Sequence, residues 1–191
     1  MRRLDEIMNF NEEFVLNKEY LKYTKIRKDN KKIVIVSCMD TRLTELLPKA
    51  LNIKDGDAKF IKNAGASVIH PFGNTIRSIV IAIYEFDIDE VYIIAHHDCG
   101  MSNLDSSKTL EKGYSKGIDK NEVKKIIDSG FDLEKWLKGF NSVNESVVST
   151  VKSIKNHPLI PRDIKVYGLI IDPTNGKLEL VYDDLWGIHE K

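Results

Sequence analysis

Lys32-Ile33-Val34-Ile35-Val36-Ser37-Cys38 is a nearly unbroken run of β-branched residues that ends in a thiol. A strand with one wet face alternates apolar and polar side chains. A continuous apolar run belongs to a strand buried on both faces, as in a parallel sheet. Val91-Tyr92-Ile93-Ile94-Ala95-His96-His97-Asp98-Cys99 has the same character and ends in the second of the chain's 2 cysteines.

Helical segments separate these strands. Residues 41–52 carry Leu43, Leu46, Leu47 and Leu51 on one side, with Pro48 placed near an end or at a kink. A short strand, 58–61, leads into Asn63-Ala64-Gly65-Ala66, a loop of small residues where backbone can approach a ligand closely. In 74–86, Ile76, Ile79, Val80, Ile83 and Tyr84 follow the helical repeat. Ile81 and Ala82 extend the apolar surface, so the helix is expected to be buried broadly. A strand over 90–95 follows. Residues 102–141 turn polar and are expected to hold one or two short helices, such as 132–140. Ser142-Val143-Asn144-Glu145 fits a capping box that opens a helix ending before Pro158. A strand over 164–171, a two-residue hairpin turn at Asn175-Gly176 and a strand over 178–181 complete the chain. This order predicts an α/β fold in three layers: a mostly parallel central sheet with one antiparallel edge strand, and helices on both faces. In such sheets ligands gather at the carboxyl ends of the strands, where both cysteines lie.

The 191 residues suit one domain, 1–191, with a helical N-terminal arm over 1–25 and a polar insertion over 102–141. Hydrophobic content of 42% and charged content of 30% fit a globular chain and not a disordered one. Lys+Arg and Asp+Glu both number 29, which argues against nucleic-acid binding by bulk charge. The N-terminus lacks the apolar core of a secretory signal, and the stretch 79–84 is too short to span a bilayer, so no membrane partner is expected. A cytoplasmic location, where thiols stay reduced, is the expectation. The intermittent apolar stripe Leu4, Ile7, Met8, Phe14, Val15 and Leu21 precedes the first strand, and fits an arm on another subunit or an ordinary surface helix.

Taken singly, each cysteine reads as a buried core thiol. Cys38 and Cys99 together with His96 make three soft or borderline ligands, a set that suits zinc and leaves one tetrahedral position open. Asp40 and Arg42 beside Cys38 strengthen that reading, although Asp40 or Thr41 could also cap the helix after them. Asp98 reads as a brace for the site or for a neighbouring arginine. His97 reads as a core or surface residue, His70, His157 and His189 as surface residues, and Trp136 and Trp186 as packing residues.

Cys38-Met39-Asp40-Thr41-Arg42, then Asn63-Ala64-Gly65, then His96-His97-Asp98-Cys99-Gly100, with Pro158-Leu159-Ile160-Pro161 and Gly168-Leu169-Ile170-Ile171-Asp172 behind them, resemble the β-class carbonic anhydrases. The likeness is to the short bacterial and archaeal type with a Cys-His-Cys site, and covers roughly residues 28–185. The resemblance implies one Zn²⁺ per chain on Cys38, His96 and Cys99. It implies a catalytic dyad of Asp40 and Arg42 that orients a zinc-bound hydroxide for attack on carbon dioxide, giving bicarbonate and a proton. Asp40 is then also a conditional fourth ligand, in a closed state. Asn63, Gly65 and Gly100 fall at the substrate pocket, and a homodimer or larger homo-oligomer is implied, with the site at the subunit interface. Two rival functions share these residues: hydrolysis of carbonyl sulfide or carbon disulfide, and a non-catalytic zinc protein closed permanently by Asp40.

Overall fold

The computed structural model describes residues 1–24 and 31–185, and the backbone of 187–188. Trp186 and His189 lie outside the described residues. Six strands form one sheet in the order β2-β1-β3-β4-β5-β6. Strands β1 (Ile33–Cys38), β2 (Ala58–Asn63), β3 (Glu90–His96) and β4 (Lys165–Ile171) are mutually parallel. Strand β5 (Leu178–Asp183) runs against β4, as expected. The two-residue β6 (Gly187–Ile188) pairs with β5, so it and not β5 forms the outer edge.

Residues of β1 point alternately to two cores. Val34 and Val36 join Ile76, Ile79, Ile83, Val147, Val151 and Ile154 on one face. Those partners come from α3 (Asn74–Phe86) and α7 (Val143–Lys155). Ile33 and Ile35 join Leu43 and Leu47 of α2 (Leu43–Ala50) on the other. All six β1 residues are buried, which is the physical basis of the unbroken apolar run. Helix α7 can approach β4 closely because Gly168 has no side chain: a Cβ there would stand 2.5 Å from Val147 Cγ1.

Several expectations need correction. Helix α3 buries Ile76, Ile79, Ala82 and Ile83, but Ile81, Tyr84 and Phe86 are exposed, so one chain alone does not bury it broadly. The segment 102–141 holds three helices and not one or two: α4 (Ser106–Ser115), α5 (Lys120–Asp128) and α6 (Leu133–Leu137). Asp105, Asp119 and Asp132 cap them through side-chain oxygens, a signal the sequence carried. At Ser142 the hydroxyl half of the capping box forms, with Oγ accepting the Glu145 N–H at 3.3 Å. Pro48 lies inside α2, near its last turn.

The turn between β4 and β5 is longer than two residues. Asp172 N–H donates to the Lys177 carbonyl, which leaves four residues, Pro173 to Gly176, in the loop. The Asp172 carboxylate accepts from Thr174 N–H, Thr174 Oγ1 and Asn175 Nδ2, and these bonds favour the wider loop. The N-terminal segment is one helix, α1 (Arg3–Leu16), and a short 3-10 turn, Glu19–Lys22, with the break at Lys18 in the left-handed region (φ 55°). No residue of α1 is buried. Among the described residues no helix is long and apolar enough to cross a membrane.

Candidate metal centre

From β1 the chain crosses to β2 on one side, and β3 then adds on the other side of β1. Strand order therefore reverses between β1 and β3, and a crevice opens at their carboxyl ends. Cys38 closes β1 and His96 closes β3. Cys99 follows a turn in which Asp98 is left-handed (φ 53°). The result brings together one Cys38 sulfur, one His96 ring nitrogen and one Cys99 sulfur, all within 4.8 Å of one another. The three side chains are buried, His96 to 0% exposure and each cysteine to 5%. The sulfurs stand 3.8 Å apart, far beyond a disulfide bond.

The ring of His96 is fixed by its neighbour: Nδ1 lies 2.7 Å from the His97 carbonyl. That contact makes Nδ1 the protonated nitrogen and leaves Nε2 as the acceptor. Nε2 is buried and, among the described residues, has no hydrogen-bond partner. A buried acceptor of this kind costs free energy unless something occupies it, and a metal ion would satisfy it.

The sulfurs point the same way. Burial works against both thiolates. At Cys38 it is outweighed by His96 beside the sulfur and by the N–H groups of Asp40 and Gly65, which bring the thiol down to about 7. At Cys99 burial prevails, the negative charge of Cys38 and Asp40 adds to it, and the thiol rises to about 11 although the Met101 N–H opposes. A cation between the sulfurs removes that conflict, because it favours the thiolate at both.

Asp40 lies where the chain leaves β1. Its Oδ1 accepts from the Arg42 main-chain N–H at 2.9 Å and from Nε at 3.0 Å, and Oδ2 accepts from Nη2 at 2.9 Å. The Arg42 hydrogen bonds hold this carboxyl well below the usual range, at about 2. Oδ2 is also 3.8 Å from His96 Nε2, so the carboxylate faces both the arginine and the ligand group. Arg42, and not Asp40 or Thr41 as expected, is the N-cap of α2, and the Asp40 carboxylate accepts the Arg42 main-chain N–H in a local turn ahead of the helix.

The pocket residues divide. Gly65 (φ 78°) is next to the cluster: its N–H reaches the Cys38 sulfur, and a Cβ on it would stand 2.9 Å from Phe140 Cε1. Asn63 is a strap, with Nδ2 donating to the Ser67 carbonyl and Thr75 Oγ1, and Oδ1 accepting the Ser67 N–H. It also lines an apolar cleft of about 420 Å³ with Val68, Met101, Leu104, Trp136 and Leu137. Gly100 is exposed, with open space around it, and does not line that cleft. Trp136 is 54% exposed on the cleft rim, with its ring edge-on against Phe131. His157 is 4% exposed, against expectation, with Phe72 edge-on to its ring. His97 is half-buried, with Nε2 3.8 Å from Glu179.

The family model described as carbonic anhydrase matches residues 33–178. A Bacillus subtilis protein named "Putative carbonic anhydrase YvdA" is 51% identical over 181 residues, 95% of this chain and 92% of that protein. The crystal structure of β-carbonic anhydrase isoform I from Trichomonas vaginalis superposes with a TM-score of 0.85 at 30% identity, covering 96% of this chain and all of the other. A carbon disulfide hydrolase from Acidianus is 28% identical over 172 residues, 82% of each chain.

Proposed function

Because the chain belongs to the β-carbonic anhydrase family, we propose that it catalyses the reversible hydration of carbon dioxide with one zinc ion on Cys38, His96 and Cys99. The observation that carries this reading is the buried three-ligand group with an ionised Asp40 oxygen 3.8 Å from its imidazole. The donor set fits zinc: two sulfurs each about 2.3 Å from a tetrahedral ion would stand about 3.8 Å apart. The Sγ atoms are separated by 3.8 Å before any ion is added. When bound, zinc supplies a water acidic enough to lose its proton near neutral pH, the chemistry for which carbonic anhydrases are the standard example.

The protein groups then have separate tasks. Cys38 and Cys99 bring two negative charges that balance the ion. His96 presents Nε2 and cannot turn away, because Nδ1 is held by the His97 carbonyl. Asp40 stays anionic through the physiological range, so Oδ2 can accept and orient a proton at the open position. Arg42 occupies both Asp40 oxygens and keeps the carboxylate from swinging onto the ion. That pairing favours a catalytic over a purely structural site, since a permanent ligand gains nothing from a competing partner. The apolar cleft beside Asn63 and Met101 suits a small, uncharged, linear substrate. Exposed apolar residues on α1 and α3 support a homo-oligomer, in which a second copy covers them.

Stopped-flow measurement of carbon dioxide hydration by zinc-loaded protein, with metal-stripped protein as control, tests the proposal. Turnover that depends on zinc is expected. Equal rates with and without the metal would overturn it. Carbon disulfide is the second substrate to assay, since relatives 28–30% identical to this chain carry the name carbon disulfide hydrolase. Faster turnover of carbon disulfide than of carbon dioxide would transfer the reading to that reaction.

A further inference from the structure

Arg42 has a second anchor besides Asp40. Its Nη2 donates to the main-chain carbonyl of Asp98 at 3.2 Å. Arg42 belongs to the turn after β1 and Asp98 to the turn after β3, so this bond joins the segments that carry the two cysteines. Asp98 stands between His97, whose carbonyl receives the His96 ring, and Cys99. Its φ of 53° is left-handed. Most side chains are disfavoured there, while Gly, Asn and Asp adopt it readily. The direction of a main-chain carbonyl follows from the torsions around it, so the left-handed turn aims this oxygen at the guanidinium. The Asp98 side chain is exposed and adds negative charge near Arg42, screened by solvent.

We infer that Asp98 is a positioning residue: its left-handed backbone turns a carbonyl onto Arg42, and this second anchor keeps Arg42 on Asp40 and Asp40 off the metal position. The inference rests on the reading of Cys38, His96 and Cys99 as a metal centre. It makes the His97–Asp98 turn part of the gate, with main-chain geometry at 98 deciding how firmly the dyad holds. A residue that merely reverses the chain after β3 would affect stability and leave the dyad alone.

The test uses full-length protein loaded with cobalt(II) and titrated with azide, followed by visible absorption. Azide enters an open coordination position and is shut out when Asp40 occupies it. Asp98→Gly and Asp98→Asn keep the left-handed turn and should bind azide within about twofold of the wild type. Asp98→Val should weaken azide binding by about tenfold, the scale of strain on a β-branched residue at positive φ, with metal content unchanged. Arg42→Ala should weaken it at least as much, and adding Asp98→Val to Arg42→Ala should cause no further loss, because both act through one contact. If the Val variant does not fold, Asp98→Ala carries the same comparison with a smaller step. Unchanged azide affinity in Asp98→Val or Asp98→Ala, strict additivity with Arg42→Ala, or no azide binding by the wild type would overturn the inference. A wild type that binds azide but does not hydrate carbon dioxide would instead sink the functional reading, so the two failures are distinguishable.

Discussion

The carboxyl ends of β1 and β3 and the helix α1 are opposite extremes of this molecule. At the strand ends, Cys38, His96 and Cys99 are almost fully buried, and their neighbours Asp40, Arg42, Gly65 and His97 each contribute a bond or a charge to the group. In α1, Leu4, Ile7, Met8, Phe10 and Val15 are all more than half-exposed or close to it, and no residue is buried. A single chain finishes one region and leaves the other unfinished. The ligand set depends on neighbouring strands of one sheet, whereas an amphipathic helix gains most of its stability from a surface to pack against. Among the described residues of one chain, no residue of α1 is buried against such a surface.

The largest effect should come from the finished region. Cys38→Ser or His96→Ala should lower bound zinc from about one per chain to a small fraction, because two ligands rarely hold the ion. Metal analysis of the purified variants measures this. Full retention in both would break the comparison outright. Asp40→Asn should keep the zinc and lower kcat/KM for carbon dioxide by about a hundredfold, the usual scale for removing a positioned proton acceptor. Near-normal kcat/KM with zinc retained would remove Asp40 from the chemistry.

A subtler distinction lies in pH. The carboxyl of Asp40 is depressed to about 2, so its stabilising contribution is complete above the ordinary carboxylate value near 4 and is lost only as pH falls through about 2. Asp40 therefore does not titrate in mild acid. Two thiolates donate more charge to zinc than imidazoles do, so activity should be low in mild acid and rise into the alkaline range, with zinc still bound. A flat profile, or a maximum in acid, would show that the thiolates do not set the acidity on which the rate depends. The smallest effect on the site should follow removal of residues 1–24. Sedimentation velocity at low concentration should show a weaker oligomer, and zinc per chain should not change. An unchanged sedimentation profile would mean that α1 does not hold subunits together.

The site was more legible in the sequence than its surroundings. Cys38 and His96 could be read because they close adjacent parallel strands, whose ends must be neighbours, whereas Cys99, expected at the end of its strand, lies beyond β3 after a turn. The β4–β5 loop was misread because Asn175-Gly176 is a short-range signal, while the bonds that set the loop come from Asp172, three residues earlier. His157, expected at the surface, is buried, and Trp136, expected to pack, does so against Phe131 on a half-exposed rim. Neither residue type fixes its own burial, since each has an apolar body and a polar handle. The Arg42 bond to the Asp98 carbonyl was legible only as a brace of unknown kind, because it depends on a backbone torsion that no pattern of side chains displays.

The two sulfurs are separated by 61 positions along the chain. They meet only when β1 and β3 align in parallel, with α2, β2 and α3 intervening along the chain. Closing a loop of that length carries an entropic cost that must be met before the sulfurs come together. An ion that needs both sulfurs finds no complete site until that alignment exists. Its binding energy deepens the native basin alone. Zinc should accordingly leave the time the chain takes to fold almost unchanged, and greatly prolong the time it stays folded.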